Sequence, residues 1–249
     1  MLISDSYELI LMLPQKCATT TLQTRFAEIK TVKDLGSRMH YNQSLQKNLG
    51  KHVELKDAFM IKEFISRENY LKACFIRNPY DRAYSWFKWI ISNSTKEVQA
   101  CERNEAVRNI QPHQTQQYEK VARSIFQRRD LLEKINYSFP LYLKEKSKRF
   151  IPISNFTHVG RKCIMDFIGR VESFEQDFDS LCQKIDYSPR RKINVNVLNT
   201  ETLQHEDSIK NPRSIDHYDE RSIKTINTVF AKDFRNFNYK KLKTFRFFG

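Results

Sequence analysis

Residues 9–26 read LILMLPQKCATTTLQTRF, and the order of residue types within them sets the expected fold class. Leu9, Ile10, Leu11, Met12 and Leu13 form a short unbroken apolar run, which predicts a strand buried on both faces, as in a parallel sheet. Leu22, Phe26 and Ile29 then recur at helical spacing. Between strand and helix lie Lys16, Cys17, Ala18, Thr19, Thr20 and Thr21. They offer one fixed positive charge, three hydroxyls and the unpaired backbone N–H groups of a helix start. Such a loop suits a phosphate or sulfate; equally, its threonines can serve only to cap the helix. The loop holds no glycine, so it lacks the glycine-lysine pattern of an ordinary P-loop kinase.

At 249 residues the chain is long enough for one well-buried α/β domain and short for two, so residues 1–249 are read as a single domain. Lys and Arg number 43 against 29 Asp and Glu, a net charge of +14, which points to an anionic ligand. The charges are spread along the chain without a recognised nucleic-acid motif, so no nucleic-acid partner is expected. No apolar run approaches the roughly 20 residues of a membrane span, and the first residues, MLISDSYELI, lack the features of a signal peptide. A cytoplasmic location is the expectation. The five cysteines stand singly with no CxxC pair, which argues for reduced thiols and against a zinc site. Cys17 is read as a packing residue.

A second transition decides between an anion loop and a plain turn. Residues 71–76, LKACFI, are another apolar run, followed by RNPYDRAYSWFKWI at 77–90. Asn78 suits a helix cap and Pro79 the first helical position, while Tyr80, Tyr84, Phe87 and Ile90 repeat at helical spacing. Arg77 thus ends a strand, and Ser85 lies about two turns into the helix at ~1.5 Å per residue. A guanidinium fork with a hydroxyl fits a phosphate. Together, PQKCATTTL and RNPYDRAYS resemble, in order, separation and setting, the two cofactor signatures of sulfotransferases that use 3′-phosphoadenosine 5′-phosphosulfate (PAPS). The likeness is closest to the carbohydrate, Golgi-type branch and its bacterial relatives.

The rest of the chain is read more coarsely. Residues 31–48 suggest a loop over the sheet, 50–55 a turn into or the end of a short strand, and 58–68 a short amphipathic helix. Residues 92–130 look helical with a break at Pro112 and His113, and Val121, Ile125 and Phe126 as packing residues. Residues 137–150 suggest a helix and 150–156 an extended segment. A strand near Gly169 leads to a helix through Phe174, Phe178 and Leu181, and resembles the strand that follows the substrate region in the same branch. Arg170 can serve either as a ligand contact or in an internal structural pair with Glu172, and neither is counted among the site residues. Residues 188–219 form a long polar connection of the kind that often makes a lid, and 219–239 a final amphipathic helix.

The resemblance implies a central parallel β-sheet flanked by helices in a P-loop-like nucleotide-binding fold, and transfer of a sulfuryl group from PAPS to a hydroxyl, or less readily an amine. The acceptor would be a sugar, a glycan or a small natural product. No metal is called for. Position by position, Lys16 would reach the bridging oxygen of the departing phosphate, the loop from Cys17 through Ala18, Thr19 and Thr20 to Thr21 would hold the 5′-phosphate, and Arg77 with Ser85 would bind the 3′-phosphate. Ala18 stands where the family commonly has glycine, and Gln15 stands between the proline and the lysine, which bears on cofactor affinity. The general base is assigned to His52, between the two motifs, because histidine titrates closest to working pH; His40, Glu54 and Glu63 are the reserves. The alternatives are a nucleotide kinase relative and a non-catalytic anion or nucleic-acid binding protein.

Overall fold

The computed structural model describes residues 1–30, 40–42, 46–102, 115–188 and 212–243. In chain order the strands are β1 (Leu2–Ser4), β2 (Leu9–Met12), β3 (His40–Asn42), β4 (Lys47–Leu49), β5 (Leu71–Ile76), β6 (His158–Val159), β7 (Lys162–Cys163) and β8 (Phe167–Arg170). The helices are α1 (Thr19–Arg25), α2 (Leu55–Ala58), α3 (Lys62–Ile65), α4 (Pro79–Glu102), α5 (Thr115–Lys134), α6 (Phe139–Lys146), α7 (Ser154–Thr157), α8 (Phe174–Lys184), α9 (Glu220–Val229) and α10 (Ala231–Asn236). The chain is an α/β protein that groups into two compact units. One comprises Met1–Arg82, Ile151–Arg213 and Phe230–Lys241, the other Ala83–Phe150, Ser214–Val229 and Leu242–Gly249.

The first unit is built on a four-stranded sheet of order β1-β2-β5-β8. The apolar run at 9–13 is fully buried, as a strand covered on both faces must be. β2 pairs parallel with β5, Met12 opposite Cys74, and β5 pairs parallel with β8, Ile76 opposite Arg170. This register brings the carboxyl ends of the three strands to one edge, where open α/β sheets bind ligands. The loop after β2 and Arg77 both leave from that edge. On one sheet face Leu9, Leu11, Leu13, Ala73 and Phe75 pack with Leu22, Phe26, Phe174, Phe178 and Leu181 from α1, α8 and their flanks. Each leucine and phenylalanine among them contributes roughly 1.5–3 kcal/mol by leaving water. Gly169 is required by this packing, because a Cβ there would lie 2.6 Å from the Phe75 ring.

Several expectations are refined. The sheet is mixed rather than wholly parallel: β1 runs antiparallel to β2, since the short turn at 5–8, with Glu8 at φ 45°, reverses the chain without the crossover that a parallel neighbour needs. The short strand near residue 50 ends at Leu49 and pairs with β3 in a separate hairpin. The helix expected at 58–68 is two single turns, α2 and α3, interrupted by an extended Ile61. The segment at 150–156 is extended only in part, because α7 begins at Ser154, where the Asp233 carboxylate accepts the Ile153 and Ser154 amides at 2.7 and 2.8 Å. The last helix is broken at the buried Phe230 into α9 and α10. The break at Pro112 and His113, Val121's packing and most of the 188–219 connection lie outside the described residues.

The second unit is helical. Phe87 of α4 packs on Phe139 and Tyr142 of α6 with ring centroids 5.3 and 5.1 Å apart, and Tyr218 meets Phe139 at 4.9 Å. Val98, Ile125 and Phe126 join α4 to α5. Among the described residues no helix is long and apolar enough to cross a membrane.

Candidate active site

The loop between β2 and α1 is shaped by two residues with positive φ, Lys16 at 64° and Ala18 at 54°. The left-handed conformation costs an L-residue about 1–2 kcal/mol, so the loop closes with alanine in a conformation that favours glycine. Three of its carbonyls are taken by the protein. Gln15 O accepts from Arg82 Nε at 2.9 Å, Lys16 O from Arg77 Nη1 at 3.4 Å, and Ala18 O from the Leu22 amide at 3.0 Å. The first-turn amides of α1 have no partner within the helix by its geometry, and the N-cap residue, Ala18, makes no side-chain cap hydrogen bond to them. Thr19 and Thr21 are buried and Thr20 is exposed.

Asn78 caps α4 as its sequence position suggests: its Oδ1 accepts the Tyr80 amide at 3.1 Å. Its own amide donates to Glu172 at 2.6 Å, and Glu172 also accepts from Tyr239 OH at 3.0 Å. Arg170 donates to Phe237 O at 2.8 Å and lies over the Tyr239 ring. Both residues are thus engaged in holding β8 and the end of the first unit together, in line with a structural role. Arg77, half-buried at the end of β5, is left beside the loop.

Charge concentrates at this edge. Burial, reinforced by the neighbouring charges of Arg77 and Lys51, lowers the Lys16 ammonium to a pKa of about 8. Lys51, also lowered by burial, lies 3.4 Å from Gln23 Oε1 of α1. The sequence does not single out Lys51. Its one signal was position, directly before His52, because a lysine in a polar stretch is ordinarily a solvated charge.

His52 sits 2.6 Å, through Nδ1, from Leu13 O at the end of the β2 run. A carbonyl can only accept, so Nδ1 carries the proton and Nε2 keeps its lone pair. Burial lowers the imidazole to a pKa of about 4 against the opposing pull of that hydrogen bond, with the charges of Lys51 and Arg82 adding to the decrease. At neutral pH the ring is an uncharged acceptor fixed in one tautomer. Of the reserves, Glu54 is engaged by Asn155 at 2.8 Å and by Lys56 at 3.7 Å, and Glu63 is exposed on α3. The His40 side chain lies outside the described residues. Cys17 is buried, and burial raises its thiol to about 11, so it stays protonated and packs.

The structure therefore joins Lys16, Cys17, Ala18, Arg77 and His52 at one edge of the first unit, with Thr19, Thr20 and Thr21 following in α1. Ser85 is half-buried on the part of α4 that belongs to the second unit. The sequence model of the family described as "Sulfotransferase family" matches residues 1–240, and the chain belongs to that family. No curated protein and no solved structure matches the chain.

Proposed function

We propose that this member of the sulfotransferase family uses PAPS to sulfate a hydroxyl on a sugar or a small-molecule acceptor. The observation that carries the reading is the pairing of a neutral His52, its Nδ1 proton committed to Leu13 O, with the Lys16 loop that begins three residues after that carbonyl. The donor set fits the group: a partly buried ammonium, a loop in which the Gln15 and Lys16 carbonyls are turned to protein partners, and a guanidinium beside it. When bound, PAPS would supply a sulfuryl group attached to a phosphate leaving group.

In this reading the loop amides and threonines would hold the 5′-phosphate, and Arg77 would hold the 3′-phosphate. His52 Nε2 would take the proton of the acceptor hydroxyl as its oxygen accepts the sulfuryl group. Lys16 would meet the negative charge left on the departing phosphate as the sulfuryl group passes to that oxygen. In-line transfer of this kind depends on position and charge stabilisation, as phosphoryl transfer does. Lys51 adds to the positive field around the moving group.

The test is calorimetric titration, without magnesium, with adenosine 3′,5′-bisphosphate (PAP), adenosine 5′-monophosphate and ATP. Binding that requires the 3′-phosphate and falls in Arg77→Ala and Lys16→Ala is the expected result. Equal binding of the three nucleotides, or none, would overturn the reading.

A further inference from the structure

Arg82 is 4% exposed, and burying a guanidinium is costly enough that an apolar side chain of similar size would often be as stable. Its placement is specific nonetheless. Nε donates to Gln15 O at 2.9 Å, the Cζ atom lies 5.4 Å from the Phe230 ring centroid, and Nη1 stands 3.8 Å from Asp233 Oδ2 without a hydrogen-bond partner. Asp233 is itself 1% exposed, and its oxygens already accept from Ile153 N, Ser154 N and Ser154 Oγ. The carboxylate is thus a fixed point tied to α7, and Arg82 extends from it to the anion loop.

The peptide joining Gln15 to Lys16 is planar and trans, so its carbonyl and its N–H point in opposite directions. Holding Gln15 O toward Arg82 sends the Lys16 amide to the opposite side. Arg77 does the same for the next peptide by engaging Lys16 O. From this geometry we infer that Arg82 is the positioning residue of the anion loop: it touches no ligand, and acts through Gln15 O to aim the Lys16 amide and side chain at the 5′-phosphate. Asp233 holds Arg82 in place. The inference rests on the PAPS reading and assigns to the second arginine of RNPYDR a role apart from Arg77's.

Two probes separate an effect on the loop from a general loss of structure: PAP, which carries a 5′-phosphate, and adenosine 3′-monophosphate, which does not. In Arg82→Met the affinity for PAP should fall roughly 10- to 100-fold, the range set by losing a buried hydrogen bond to a charged group. The affinity for adenosine 3′-monophosphate should change less than about threefold. Equal weakening of both ligands, or of neither, would overturn the inference. Should Arg82→Met not fold, Arg82→Lys decides, because it keeps the charge and one donor but not the fork that spans Gln15 O and Asp233. There the ratio of the two affinities should fall by about three- to tenfold, and an unchanged ratio would overturn the proposal. A wild-type protein that binds no PAP would instead remove the PAPS reading itself, an outcome visible before any variant is made.

Discussion

Replacing His52 by asparagine separates the two jobs assigned to that ring. The carboxamide nitrogen of Asn takes nearly the position of Nδ1, so it can donate to Leu13 O, now reached at 2.6 Å, but it leaves nothing at Nε2. Stability should stay within about 1 kcal/mol of wild type, because the buried carbonyl keeps its partner. His52→Ala should cost about 1–3 kcal/mol more, the penalty for stranding that acceptor. Turnover should fall about 10²–10⁴-fold in both variants, the usual contribution of a general base, or about 3–5 kcal/mol of barrier at 1.36 kcal/mol per decade. The assay is transfer of radiolabelled sulfate from PAPS to whichever sugar or small hydroxyl acceptor wild type accepts, with PAP affinity measured alongside and expected unchanged within about threefold. An Asn variant that retained more than a tenth of wild-type turnover would refute the base assignment. One as unstable as the Ala variant would refute the tautomer argument.

His52 also sets a pH signature. Its folded value, about 4, lies below the ordinary 6.5, so the unfolded chain takes up the proton first. Stability is lost as pH falls from about 6.5 to about 4, by roughly 3 kcal/mol at about 1.4 kcal/mol per decade of proton affinity. The difference between wild type and His52→Asn in denaturant unfolding from pH 7 to pH 4 should show this loss, and parallel curves would contradict it. Lys16, at about 8 in the free protein, should be drawn to its protonated form by an anionic ligand. PAP binding at pH 8 should take up a fraction of a proton, detectable by calorimetry in buffers of different ionisation enthalpy and absent in Lys16→Ala; no uptake by wild type would count against this placement. Gly169→Ala should destabilise by about 1–3 kcal/mol through overpacking against Phe75, and a thermal midpoint equal to wild type would mean the ring yields freely.

The elements that frame the site were legible where a local pattern sufficed. The runs at 9–13 and 71–76 are buried strands because unbroken apolar residues have nowhere else to go, and the Asn78-Pro79 start of α4 follows from one cap and one ring. Lys16 and Arg77 stand out because each sits in a local motif, and His52 because it lies between the two motifs and carries the side chain that titrates closest to working pH; the family match over residues 1–240 speaks to the family. Lys51 was not picked out, since an exposed lysine and one lowered by burial beside Lys16 look alike in sequence.

Strand identity, helix starts and residue chemistry were thus set by the chain's own order, because apolar periodicity and capping act over a few neighbouring residues. The tautomer of His52 and the line from Asp233 through Arg82 to Gln15 were settled by folding alone. Each depends on which partner waits across a gap of many residues: Leu13 O lies 39 positions from His52, Gln15 O 67 from Arg82, and the amides of Ile153 and Ser154 80 and 79 from Asp233. A backbone carbonyl is the same group at every position, so only the packed fold selects the one that a histidine or an arginine will hold.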